Sequence, residues 1–215
     1  NINAGAAAII LAAGNDFGGA VSLTNTGANN INVVDTNALI LGTVSMDAAS
    51  AGTLTLTSTG GLTQSGATTI TTGTGAVTIN AGGNVSLGNA NNFAGPVLVS
   101  TANNVTLNDT GAIDLGSSTI GGTLNVTANG AISDSGTLDV TGTTTLTAGA
   151  ANDITLNTGT NNFTGAVSIV SANNVTLVDA NALLLGASTV TGNPASRAFP
   201  WAIRAVPGSD SIADT

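Results

Sequence analysis

The stretch NNFAGPVLVSTANNVTLNDTGAIDLG at residues 91–116 returns at 161–186 as NNFTGAVSIVSANNVTLVDANALLLG. The two starts differ by 161 − 91 = 70. An earlier version is split between NDFGGAVSL at 15–23 and ANNINVVDTNALILG at 28–42. An insertion near Thr26–Gly27 lengthens that copy, whose start precedes the next by 91 − 15 = 76. GTLTLTSTGGLTQSG from Gly52 matches GTLNVTANGAISDSG from Gly122, and 122 − 52 is again 70. Self-similarity at a fixed long period marks a repeat architecture, in which each unit buries its apolar face only against its neighbours.

A shorter rhythm runs inside each copy. Apolar pairs with one residue between them recur: Val97/Val99, Val105/Leu107 and Ile113/Leu115, then Val167/Ile169, Val175/Leu177 and Leu183/Leu185. Alternation with period two marks a strand with one buried face. The Ala-Asn-Asn, Asp-Thr-Gly and Asn-Gly clusters between the pairs are turn chemistry. No segment has a 3.6-residue apolar period. The expected fold is all-β: a right-handed parallel β-helix, or three-sided β-solenoid, with about 23–24 residues per coil and three coils in each 70-residue repeat. Its hand rests on the general preference for right-handed crossovers. Eight such coils at about 4.8 Å make a rod on the order of 40 Å long. A β-sandwich or an antiparallel barrel also uses short strands, but neither predicts a 70-residue period.

Composition narrows the function. The chain has 215 residues, 42% of them hydrophobic and only 2% aromatic, so its core is thin and aliphatic. It contains no Lys, Glu, His or Cys, and its net charge is −9. Both cations, Arg197 and Arg204, lie near the C-terminus. A cation-free surface cannot neutralise phosphates, which argues against nucleic acid as a partner. Anionic membranes repel it, and the longest apolar or small stretch, 4–14, is too short to span a bilayer. Without Cys there are no disulfides or thiolate metal sites. Nucleophile–base chemistry usually draws on His, Lys or Cys, so no catalytic residues, cofactor or metal are expected. The abrupt start and stop read as an excerpt from a longer protein.

The strings N-[ND]-F-x-G-x-V, A-N-N-[VI]-x-[LV] and A-[LI]-x-L-G, with TLTAGAANDITL at 145–156, are similar to repeats of filamentous-haemagglutinin-like exoproteins. The resemblance covers residues 1 to about 193. That family comprises large bacterial surface or secreted proteins exported by two-partner secretion. The resemblance implies a long right-handed β-helix, an extracellular or cell-surface location, and a role in adhesion, aggregation or biofilm formation. Within such proteins these repeats form the shaft. A glycan-binding solenoid module is the alternative reading, and a carbohydrate-active β-helix enzyme a third.

Several residue sets invite a function. Phe17, Phe93 and Phe163 occupy one repeat position, as ligand-stacking aromatics or as inward anchors beside Gly19, Gly95 and Gly165; the anchor reading is preferred, because burying a Phe contributes about 1.5–3 kcal/mol. Asp35, Asp109 and Asp179 also correspond, as a carboxylate row or as Asx turns, and the turn is preferred. Paired Asn residues at 29–30, 91–92, 103–104, 161–162 and 173–174 suit turns and stacked amide ladders. The residues between the apolar pairs form no uniform Thr row. Ile40, Leu98 and Leu184 are outward apolar residues and candidate assembly contacts.

The repeat stops near Asn193. Residues 1–193 are read as the solenoid, with a partial copy at 1–14 and copies from 15, 91 and 161. Residues 194–215 carry Pro194, Pro200 and Pro207, which do not fit a central ladder. This tail is read as a cap, an assembly segment docking through Phe199, Trp201 and Ile203, or a disordered end. Self-association end to end or side by side, and binding to host or bacterial glycans, are the expected partnerships.

Overall fold

The computed structural model describes residues 1–192 and, as backbone, 201–205. The described residues form 23 strands and no helix. Two long sheets carry ten strands each and a short third sheet carries three. Among these residues all strand pairings are parallel, and none joins consecutive strands by a hairpin. One turn of the coil illustrates the path. Val105–Asp109 lies in the first sheet, Ile113–Leu115 in the second and Ser118–Ile120 in the third, after which Leu124–Ala128 returns to the first. The fold is a β-solenoid of about 8 turns.

The turn is shorter than the sequence spacing suggests. Leu39, Leu62, Val85, Val105, Leu124, Thr144 and Val167 are successive register partners in the first sheet. The path from Leu39 to Val167 takes six steps, three of 23 residues and three of 19 or 20, so the turn averages about 21 residues, short of the 23–24 expected throughout. The three sides are unequal: the third is only two or three residues long and exists in three turns. Equal sides of eight residues overestimate the circumference.

This shortening changes what the 70-residue repeat is. Val97 and Val167 are equivalent in sequence, but Val97 lies in the second sheet and Val167 in the first. From Val97 the chain makes about half a turn to Val105 in the first sheet. It then steps Val105 to Leu124 to Thr144 to Val167, three whole turns. The repeat is therefore about three and a half turns, not three, and successive copies exchange the two long sheets. The same exchange places Ile31 in the second sheet, its counterpart Val105 in the first, and Val175 in the second again.

The core is a column of stacked aliphatic side chains, with Leu23, Ile31, Val33, Leu39, Leu54 and Leu62 fully buried. Each such burial contributes about 1.5–3 kcal/mol relative to exposure. Phe93 and Phe163 are 2% exposed and act as inward anchors; Phe17, near the first turn, is only half-buried.

Glycine sets the corners where successive turns approach most closely. A Cβ on Gly75 would stand 2.4 Å from the Gly52 carbonyl oxygen, and one on Gly95 would stand 2.3 Å from that of Gly75. An equivalent stack of Gly122, Gly142 and Gly165 gives 2.5 and 2.3 Å. The first stack precedes the second-sheet strands Leu54–Ser58, Val77–Ala81 and Val97–Thr101. The second precedes the first-sheet strands Leu124–Ala128, Thr144–Thr147 and Val167–Ser171. The corner chemistry thus repeats while the face it serves alternates.

Beyond Asn193, Trp201–Ala205 adds a parallel strand to the second sheet, with Val175 opposite Trp201 and Asp179 opposite Ala205. Phe199 lies outside the described residues, as do the side chains of Trp201 and Ile203.

Candidate functional site: stacked polar corners and outward ladders

The two recurring strings of each copy are stacked one turn apart. Asn15 pairs with Asp35 in register, and Asn91 pairs with Asp109. In the last copy the Ala180 N–H donates to the Asn161 carbonyl oxygen at 2.6 Å. Asp35, Asp109, Asp179, Asn91 and Asn161 are all essentially inaccessible to solvent. Each carboxylate binds backbone. The Phe93 N–H donates to Asp109 Oδ2 (2.8 Å) and the Gly111 N–H to Asp109 Oδ1 (2.7 Å). The Asn181 N–H donates to Asp179 Oδ1 (3.1 Å), and the Phe17 N–H to Asp35 Oδ1 (3.3 Å). Asp109 and Asp179 therefore close Asx turns, whereas Asp35 bonds only to the adjacent turn. Desolvation by burial pushes the Asp109 carboxyl above its ordinary range, against the lowering effect of its Gly111 and Phe93 bonds.

The equivalent aspartates do not make one row. Asp109 ends a first-sheet strand, while Asp35 and Asp179 end second-sheet strands. Three and a half turns at about 4.8 Å also put copies about 17 Å apart along the rod, too far for one metal ion or a glycosidase pair. Among the described residues no group of three metal-ligating side chains converges.

The buried asparagines have partners that the sequence patterns did not single out. Asn91 Oδ1 accepts from the Ile70 N–H (2.9 Å) and Gln64 Nε2 (2.7 Å), and its Nδ2 donates to Gln64 Oε1 (3.0 Å) and the Leu87 carbonyl (3.0 Å). Asn161 Oδ1 accepts from the Leu138 N–H (2.9 Å), and its Nδ2 donates to Asp134 Oδ2 (2.6 Å). Gln64 and Asp134 are themselves one repeat apart (134 − 64 = 70), in the matched strings TQSG and SDSG. That shared position is the signal that would have found them. Ser118 and Ser188 form a second such pair. Each hydroxyl accepts from a strand N–H, of Val99 or Ile169, and donates to the carbonyl of Gly116 or Gly186.

Amide ladders occur at exposed corners, as the Asn pairs suggest. Asn84 Oδ1 accepts from Asn103 Nδ2, the Asn104 N–H and Asn104 Nδ2, and Asn104 Oδ1 accepts from the Thr123 N–H. Asp153 takes the same three bonds from Asn173 and Asn174. Asn181 donates to Asn162, which donates to Asp139.

The outward apolar residues do not form a single strip. Ile40 is in the first sheet and Leu98 in the second, and both are half-buried. Leu184 is 58% exposed and accepts a bond from the Val167 N–H at the first sheet's end. Leu98 has a local role: it lies over Gly116, where a Cβ would meet its Cγ at 2.5 Å. Ser22 over Gly42 and Ser168 over Gly186 are the same contact in the other copies.

Two columns of hydroxyl and amide side chains run along part of the outer face of the first sheet. One reads Thr63, Ser86, Thr106, Asn125, Thr145 and Ser168 in register. Beside it run Asn108, Thr127, Thr147 and Ser171. Apolar residues interrupt both faces, Ile40 and Val170 on the first sheet and Ile10 and Leu98 on the second, and the second also carries the outward Asp114.

A family of repeats of unknown function, DUF5649, matches residues 1–24, 28–100 and 102–170. The chain belongs to this family. The two longer matches start at 28 and 102, just before Ile31 in the second sheet and Val105 in the first, so they follow one another at the spacing of the three-and-a-half-turn repeat. No curated protein and no solved structure matches the chain.

Proposed function

We propose that this DUF5649 solenoid is a non-catalytic shaft: a stretch of a bacterial surface adhesin or extracellular filament that spans distance by stacking turns. One observation carries the reading. What recurs from copy to copy is the machinery of stacking, namely the buried Asn–Asp corners, the glycine corners and the aliphatic column, and it continues across each junction between copies. A chain selected for such continuity gains length with each unit, and its stability is approximately the sum of unit and interface terms.

The surface chemistry supports an extracellular setting. Outward positions are mostly Thr, Ser and Asn, and all the carboxylates are Asp. A cation-poor, anionic rod does not stick to nucleic acid or to anionic lipid headgroups. Export by two-partner secretion and a role in adhesion or biofilm rest on the resemblance of the repeat strings.

Electron microscopy of the purified chain, together with antibody labelling of intact and permeabilised cells, tests the proposal. Thin rods or fibres of uniform width and labelling of intact cells are the expected results. Compact particles, or labelling only after permeabilisation, contradict it.

A further inference from the structure

We infer that the outer face of the first sheet is a docking surface for neutral, hydroxyl-rich polysaccharide. This rests on the shaft reading and deepens it by naming the face and the class of partner.

The first sheet is free of accessible charge. Across its ten strands the single ionisable residue is Asp109, which points inward and is 1% exposed. The chain's net charge is −9, so this neutrality is local. The carboxylates of Asp16, Asp139 and Asp153 stand at exposed positions outside this sheet, and Asp114 interrupts the outer face of the second. An anionic partner is disfavoured by the chain as a whole, and a cationic one gains nothing from this face. A neutral partner approaches it without desolvating a charge.

The face also fixes the geometry of the partner. The hydroxyl and amide columns run parallel to the rod axis with a step of about 4.8 Å, and lie about 7 Å apart along each strand. Nine of the ten strands stack in one path about 38 Å long, and the longer column, from Thr63 to Ser168, covers about 24 Å of it. Every Thr, Ser and Asn on it both donates and accepts, as sugar hydroxyls do. Aromatic stacking platforms are missing from these strands, so recognition of one isolated sugar is weak. Each hydrogen bond to a neutral group contributes only about 0.5–1.5 kcal/mol net. Useful affinity then comes from an extended chain or fibre that engages many steps at once.

The test is co-sedimentation of the purified chain with microcrystalline cellulose, beside carboxylated cellulose and with free glucose as competitor. The expected result is retention on the neutral fibre, at least tenfold less on the carboxylated one, and no displacement by glucose. Thr106→Glu with Thr145→Glu, both outward on the first sheet, should cut retention at least tenfold. Thr155→Glu with Thr176→Glu, at outward positions on the second sheet, should leave it unchanged, and circular dichroism should report both double variants folded. The inference is overturned by no retention on cellulose, by retention that survives the first-sheet variant, or by equal loss in both variants. None of these outcomes touches the shaft reading if rods and surface labelling persist. A monomer–dimer equilibrium abolished by the first-sheet variant, without cellulose binding, would assign the face to a second copy and equally overturn the inference.

Discussion

Val97 and Val167 stand one repeat apart, at the same place in successive copies, yet one is in the second sheet and the other in the first. The half turn behind this relationship gives the solenoid two long faces written by the same sequence. A feature encoded once per copy appears on alternate faces, and returns to the same face only after about seven turns, on the order of 34 Å.

The buried asparagines should be expensive to remove. Asn161→Ala leaves the Leu138 N–H without its acceptor inside the core and deprives Asp134 of a donor. A stranded buried group costs about 1–3 kcal/mol. Thermal unfolding should show a fall of several degrees in Tm, and Asn91→Ala a similar one, because Asn91 serves Ile70 and Gln64 in the same way.

Corner glycines should divide into two classes. Gly75→Ala drives a Cβ to within 2.4 Å of the Gly52 carbonyl oxygen, a backbone atom that cannot swing aside. Overpacking of this kind costs about 1–3 kcal/mol. Gly18→Ala meets nothing within 4 Å and needs no positive φ, so it should be neutral or slightly stabilising. Urea denaturation of the two variants tests the contrast.

Phenylalanine deletions should follow burial. Phe93→Ala should cost about 3–5 kcal/mol, as a large core truncation does. Phe17→Ala, at the half-buried equivalent near the first turn, should cost visibly less in the same urea titration.

Acid should not weaken the corner at Asp109. Its carboxyl has a folded-state pKa raised above 3.8, so the folded chain takes up a proton before the unfolded chain does. The cost of burying its charge is present in full above the raised value. It shrinks as pH falls through that value and is gone below 3.8. Between neutral pH and about 4 this group therefore makes the solenoid more stable as pH falls. Urea midpoints at pH 7 and pH 4.5 should show a rise on acidification that is smaller in Asp109→Asn. A larger rise in the variant would contradict the assignment.

The strand faces were legible in the sequence because period-two alternation depends only on neighbouring residues. The inward pairs from Val97/Val99 to Val175/Leu177 are buried as that alternation requires. Phe93 as an anchor and the Asp109 turn were legible for the same local reason. Turn length was not, because it depends on how tightly the corners close. The turn with the short side at Ser118–Ile120, from Val105 to Leu124, takes only 19 residues, and nothing in an apolar pair reports it. A small overestimate of each turn accumulates to half a turn per repeat, which moves every copy to the other sheet. Gln64 and Asp134 were missed because their partners, Asn91 and Asn161, lie more than one turn downstream.

Cross-linking decides the turn length most directly. The chain has no cysteine, so a double variant carries two thiols and no others. Thr106 and Asn125 are register partners in the first sheet. A turn of about 23 residues would instead bring Thr106 beside Asn129. Thr106→Cys with Asn125→Cys should close within one molecule under a short bifunctional reagent, and Thr106→Cys with Asn129→Cys should not. Efficient closure of the second pair and failure of the first would contradict the three-and-a-half-turn repeat.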